Sequence, residues 1–197
     1  LNNDNQILLE GEMGSGKTGM LIEHMRACCT NDDKINRIPI YVAAREIIQN
    51  ASSIDSVLEN LFSTANISQL AETDEIHVLL DGIEEAVANQ TPEEVFKKVE
   101  EVIAFTSRLQ QTTKLVIAAR PYSLISKYLG KLSSLERYSV APLRTTQMIQ
   151  LLKAVCSNFI SKRTLSDLNN SELFRQLPQS PLSAILLSKV LADIQQE

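Results

Sequence analysis

The chain has 197 residues, 44% of them hydrophobic, which is enough for one sizeable α/β core or a core with a small appendage. A net charge of -5 and a pI near 5.2 set up no global positive field, so generic binding to nucleic acid or an anionic membrane surface is not expected. Apolar stretches such as Ile76 to Leu80 and Ala184 to Leu187 fall far short of the ~18 residues that span a bilayer, and no basic, apolar leader ending in small residues is present.

The first extended run is Gln6 to Glu10. Gly11-Glu12-Met13-Gly14-Ser15-Gly16-Lys17-Thr18 follows it with the full spacing of a phosphate-binding loop and leads into a helical pattern carrying Met20, Leu21, Met25 and Ala27. Glycines let such a loop wrap, so that backbone N–H groups converge at a helix N-terminus whose dipole favours anions. At this spacing Lys17 reaches the β- and γ-phosphates of a nucleotide, and the Thr18 hydroxyl ligates Mg²⁺. Gly19, in the first helical turn, costs roughly 1 kcal/mol relative to alanine and is read as permitting close packing.

A second extended run covers Pro39 to Ala43, and after Ser53 the residues Ile54, Val57, Leu58, Leu61 and Phe62 form a helical stripe. The run Ile76 to Asp81 then ends in acids, in Asp81-Gly82-Ile83-Glu84-Glu85. A carboxylate at the carboxyl end of a parallel strand lies where open α/β sheets bind ligands, so Asp81 is a candidate Mg²⁺ holder. Either Glu84 or Glu85 is then a candidate to orient or deprotonate an attacking water. Thr91-Pro92-Glu93-Glu94 starts a helix with an N-cap threonine, a first-turn proline and a capping-box glutamate, followed by Val95, Val99, Val102 and Ile103.

The run Lys114 to Ala118 precedes Ala119-Arg120-Pro121, in which the proline holds Arg120 extended. Arg120 either faces a terminal phosphate or pairs with a surface acid. A fifth run spans Arg137 to Ala141, and beyond Pro142 the pattern turns helical, with Met148, Leu152, Val155 and Phe159. The last helix starts at Ser180-Pro181 and places Leu182, Ile185, Leu186 and Val190 on one face. Pro181 is read as a helix-starting proline.

Strands alternating with helices imply parallel pairing, hence an α/β fold of three layers with a five-stranded parallel sheet over residues 1–141, followed by a small helical domain over residues 142–197. Adjacent Cys28 and Cys29 bridge only with strain and Cys156 is distant, so reduced thiols and a cytoplasmic setting are expected. His24 and His77 stand in no ligand spacing with these cysteines and are read as packed or surface residues, not metal ligands. The chain enters its first strand almost at once from Leu1 and is expected to be a segment of something longer.

Together these pieces resemble the NACHT-type STAND NTPases, regulatory relatives of the AAA+ ATPases. Gly11 to Thr18 resembles the family's Walker A, and Leu79 to Glu85 its Walker B, in which a small residue follows the Mg²⁺ aspartate and two acids come after. Ile117 to Pro121 is similar to its sensor 1 strand, and Ser180-Pro181-Leu182 to the proline motif of its helical domain. Two departures stand out: Ala119 replaces a hydroxyl residue before the sensor arginine, and Glu84 replaces the commoner aspartate.

The resemblance implies a sheet in the order 5-1-4-3-2 and a site for ATP or ADP with Mg²⁺. Gly11, Glu12, Met13, Gly14, Ser15, Gly16, Lys17, Thr18, Gly19 and Pro181 would bind nucleotide, and Thr18 and Asp81 the metal. Lys17, Asp81, Glu84, Glu85 and Arg120 would carry slow hydrolysis. It further implies a switch that forms homo-oligomers on activation, with effector and sensor domains outside these residues, in innate immunity or antiviral defence. A remodelling ATPase of the AAA+ type with continuous turnover is the alternative, and a P-loop kinase is a third class.

Overall fold

The computed structural model describes residues 6–30, 37–49, 75–86, 90–108, 113–121, 124–130, 132, 135–156 and 161–194. The stripe expected after Ser53, and Phe159, lie outside them. The chain divides into two compact units, one of Leu1–Gly11 with Lys17–Ser139, the other of Glu12–Gly16 with Val140–Glu197.

The first unit holds five strands: β1 (Gln6–Glu10), β2 (Arg37–Ala43), β3 (Glu75–Asp81), β4 (Lys114–Ala119) and β5 (Glu136–Ser139). All pairs are parallel and the order is β2-β3-β4-β1-β5, so β4 separates β1 from β3, as the resemblance implies. Central strands that lie between two layers need apolar residues on both faces, and β3 and β4 are accordingly almost continuous runs of buried residues. β5 stops at Ser139, short of the expected Ala141, because its partner β1 ends opposite, at Glu10, where the chain leaves the sheet.

Alternation sends Leu8, Val78, Leu80, Leu115 and Ile117 to one face. There they pack with residues of α2 (Ala44–Gln49), α3 (Ile83–Ala86), α4 (Pro92–Arg108) and α5 (Leu124–Leu129). The capping box of α4 forms as expected: the Glu94 N–H donates to Thr91 Oγ1 (3.3 Å), and the Thr91 N–H to Glu94 Oε2 (2.9 Å).

The opposite face meets α1 (Lys17–Thr30). Here Leu21 and Cys28 are buried and His24 and Met25 half-buried, while Met20 and Ala27 are exposed. Of the apolar residues in this pattern, Leu21 and Met25 therefore turn inward, while Met20 and Ala27 lie about 100° round the helix from the inward stripe through 21, 24–25 and 28. It includes polar residues, and His77 of β3 is buried beneath it. Burial, and then the neighbouring His24, push the His77 pKa down to about 4, so the ring is neutral.

The second unit contains α6 (Thr145–Val155), α7 (Lys162–Asn170), α8 (Glu172–Gln176) and α9 (Pro181–Ile194). Met148, Leu152, Phe174 and Ala184 form its core. On α9 the expected apolar stripe of Leu182, Ile185, Leu186 and Val190 is exposed, whereas Ala184 and Ser188 are buried and Leu187 packs on the core. Small inward residues let α9 lie close to α6, where the Cys156 thiol meets Ser188 O at 3.8 Å.

Candidate functional site

β1 ends at Glu10, and the Gly11 N–H donates to Ala119 O at the end of β4 (3.1 Å), which anchors the start of the phosphate-binding loop to the sheet. Lys17 opens α1, and its ammonium donates to Gly11 O (2.5 Å), so the side chain folds back along the loop. Glu12 to Gly16 belong to the second unit, and there the Ser15 N–H donates to Glu12 O (3.1 Å). Gly14 has φ +74°, and a Cβ on it would stand 2.5 Å from Leu182 Cβ, so both conformation and space demand glycine. Within this unit the Leu182 N–H donates to Gly14 O (3.3 Å), and Pro181 opens α9 beside Gly16. Met13 is exposed, and a side chain on Gly19 would point into open space, so close packing is not what that glycine serves.

In the sheet unit, Asp81 closes β3 and is buried. The Thr18 hydroxyl donates to Asp81 Oδ2 at 2.6 Å and the Tyr41 hydroxyl to the same oxygen at 3.1 Å, while the Gly82 N–H donates to Oδ1 at 2.9 Å. Gly82 can turn its N–H back to the carboxylate because it adopts φ +76°, a region side chains disfavour. Burial, followed by the charge of Asp81, pushes the Tyr41 pKa up to about 12.

Past that turn the two glutamates diverge. Glu84 accepts a hydrogen bond from the Arg120 N–H, which ties α3 to the carboxyl end of β4. Glu85 instead lines a polar cavity of about 270 Å³ together with Thr18, Tyr41, Arg45, Asp81 and Gly82. Arg120 is half-buried directly after β4, between the ends of β1 and β3 in the sheet order.

Sequence reasoning missed Tyr41 and Arg45. Ala43 of β2 pairs opposite Asp81 of β3, so whatever follows Ala43 must stand at the same end of the sheet. The signal was the carboxyl end of the run Pro39 to Ala43, unreadable until the register set Ala43 opposite Asp81.

The residues fit a nucleotide with a divalent ion. The Ser15 hydroxyl oxygen is buried without a hydrogen-bond partner among the described residues, in a loop whose Gly14 and Gly16 take the positive φ that lets such a loop wrap a polyanion. A threonine hydroxyl and a carboxylate within hydrogen-bond reach form a hard oxygen set of the kind Mg²⁺ takes. Among curated proteins none matches the chain. The sequence profile of the NACHT domain matches residues 5–158, well over half of the chain, over the segment that carries the loop, Asp81, the paired glutamates and Arg120. The chain therefore belongs to the NACHT domain family and is a nucleotide-binding module of the P-loop NTPase type.

Proposed function

We propose that the chain is the nucleotide switch of a signalling protein, in which exchange of ADP for ATP releases a closed form to oligomerise and bring effector domains together. Residues 1–141 form its nucleotide-binding domain and residues 142–197 the start of its helical domain. The setting is cytoplasmic, in innate immune or antiphage defence, and turnover is slow. The observation that supports an ATP site most directly is the 2.6 Å approach of Thr18 and Asp81, with Glu85 on the same cavity wall.

Lys17, with the loop N–H groups, binds the β- and γ-phosphates. Thr18 and Asp81 hold Mg²⁺, which when bound neutralises charge on the phosphate oxygens. Glu85 accepts the proton of the attacking water, since its carboxylate reaches the cavity that holds Thr18 and Asp81. Glu84 is engaged by the Arg120 N–H and positions the end of β4. The Arg120 guanidinium discriminates ATP from ADP, and Pro181 contacts the base. A ligand shifts a conformational equilibrium only by its differential affinity for the two states, so the switch needs such discrimination.

Calorimetric titration of ATP and ADP, paired with phosphate-release assays across a range of protein concentrations, tests this reading. Binding with slow release that does not accelerate with concentration supports it. Rapid, concentration-dependent release without any trigger points instead to a remodelling ATPase, and absence of binding removes both.

A further inference from the structure

Away from the loop, three side chains with metal-binding atoms meet between α1 and β3. His24 Nε2 lies 2.7 Å from His77 Nδ1, and Cys28 Sγ lies 3.7 Å from the first nitrogen and 3.5 Å from the second. Cys28 and His77 are buried, and His24 is half-buried. His24 and Cys28 are four residues apart on one helix, so they share a face, and the inward turn of β3 supplies His77. We propose that His24, Cys28 and His77 form a binding site for zinc or a similar borderline divalent transition ion, which clasps α1 to β3.

The distances fit that chemistry. Tetrahedral zinc with bonds of about 2.0–2.1 Å to nitrogen and 2.3 Å to sulfur sets its nitrogen and sulfur ligands about 3.6 Å apart and two nitrogens about 3.3 Å apart. Both sulfur–nitrogen separations already match. The two nitrogens are closer, at the separation of a ring N–H···N hydrogen bond, and ligation turns the two rings until the nitrogens stand about 3.3 Å apart. Glu75 Oε2 stands 3.4 Å from His77 Nε2, the ring nitrogen that does not meet His24 or Cys28. A carboxylate on that nitrogen holds its proton there and leaves Nδ1 as the lone pair, the arrangement usual for metal-ligating histidines. Glu75 is held in turn by Arg37 (3.1 Å) and Lys114 (3.5 Å).

Two nitrogens and a thiolate form a set that selects against Mg²⁺ and Ca²⁺, so this site does not compete for the ion at Asp81. On binding, the Cys28 thiol releases its proton to solvent as the metal–sulfur bond forms, and the shared ring proton moves to the outer nitrogen of its own imidazole. Three protein ligands leave a fourth position for water. His24 also borders an apolar cavity of about 270 Å³ with Ile7, Met20, Leu21 and Tyr138, which reaches the half-buried side of the cluster. The clasp would join the helix that begins with Lys17 and Thr18 to the strand that ends in Asp81.

The test is a titration of the reduced, metal-stripped chain with Co²⁺ alone, without nucleotide, so that its outcome is independent of the switch reading. The site predicts one Co²⁺ per chain, with the visible bands of a tetrahedral ion and a thiolate charge-transfer band, both erased by zinc. Cys28→Ser, nearly isosteric, should remove the charge-transfer band and weaken binding at least tenfold, and His77→Gln should weaken it as much. Cys29→Ser, at an exposed neighbour, should change neither. Zinc should raise the melting temperature of the parent chain and not that of folded Cys28→Ser. Parent affinity equal to that of Cys28→Ser, or a band that disappears with Cys29→Ser, overturns the proposal.

Discussion

Arg137 of β5 grips Glu10 of β1 with both arms of its guanidinium, Nε 3.1 Å and Nη2 2.8 Å from Oε2, and Nη2 2.9 Å from Oε1. Glu10 is the last strand residue before the phosphate-binding loop and is buried, and Ser126 of α5 donates to it as well. The pair joins the edge strand to the strand that launches the loop.

Removing one partner should therefore cost more than the pair is worth. Arg137→Ala leaves a buried carboxylate without its cation, and because the arginine is half exposed the loss is set at about 2–3 kcal/mol. Adding Glu10→Gln to that variant should recover much of the loss, since the remaining group is neutral. Urea denaturation of the two variants and the parent checks this, and equal midpoints for single variant and parent would sink it.

Lys17→Ala removes the loop's cationic side chain and leaves only backbone N–H groups and hydroxyls as donors. Binding of ATP, read by calorimetry, should fall at least a hundredfold while the melting curve stays near that of the parent. Retained affinity in a folded variant would disprove the assignment of the loop.

The paired glutamates separate by their partners. Glu85→Gln, at the cavity, should leave ATP binding within about twofold and slow hydrolysis roughly a hundredfold, the size expected for loss of a general base. Glu84→Gln should slow it far less, because an amide oxygen still accepts from the Arg120 N–H. Similar rates for both variants would reject this division of roles.

Local signals were legible in the sequence and long-range ones were not. The spacing of Gly11 to Thr18, the acids after β3 and the Thr91-Glu94 box depend on neighbours in the chain, and alternation of strand and helix was enough to reach the parallel sheet, whereas its order came only from the family resemblance. Glu10 and Arg137 lie 127 residues apart, and nothing in either strand announces the other. Tyr41 and Arg45 became site residues only through the β2–β3 register. The cluster of His24, Cys28 and His77 was passed over because spacing was sought along the sequence, whereas the ligands come from one helix face and a strand beneath it. On α9 close approach to α6 selects Ala184 and Ser188 as the inward residues, which the apolar stripe of Leu182, Ile185, Leu186 and Val190 does not announce.

Tyr41 shares Asp81 Oδ2 with the Thr18 hydroxyl and so helps to orient the carboxylate. Loss of such an outer partner typically costs 10–100-fold in metal affinity. Tyr41→Phe should raise the Mg²⁺ concentration for half-maximal hydrolysis by about tenfold while leaving nucleotide affinity in chelator unchanged. An unaltered Mg²⁺ dependence would show that Tyr41 serves only packing.

Glu94 gives the pH prediction. Its carboxylate accepts from the Thr91 N–H and the Thr91 hydroxyl, and these bonds, the backbone one first, hold its pKa below the ordinary carboxylate value. A depressed carboxylate means the unfolded state binds more protons in the acid range, so stability rises with pH there. The capping contribution is thus complete above the unfolded pKa of about 4.3 and lost as pH falls through the lower folded value. Glu94→Ala should consequently be less stable than the parent at neutral pH, with the two melting curves converging as pH is lowered below about 4. Thr91→Ala, which removes the reciprocal cap, should cost about 1 kcal/mol at neutral pH, within the usual range for an N-cap threonine. Parallel urea titrations at several pH values decide it, and a gap between parent and Glu94→Ala that does not change with pH would assign the glutamate no capping charge at all.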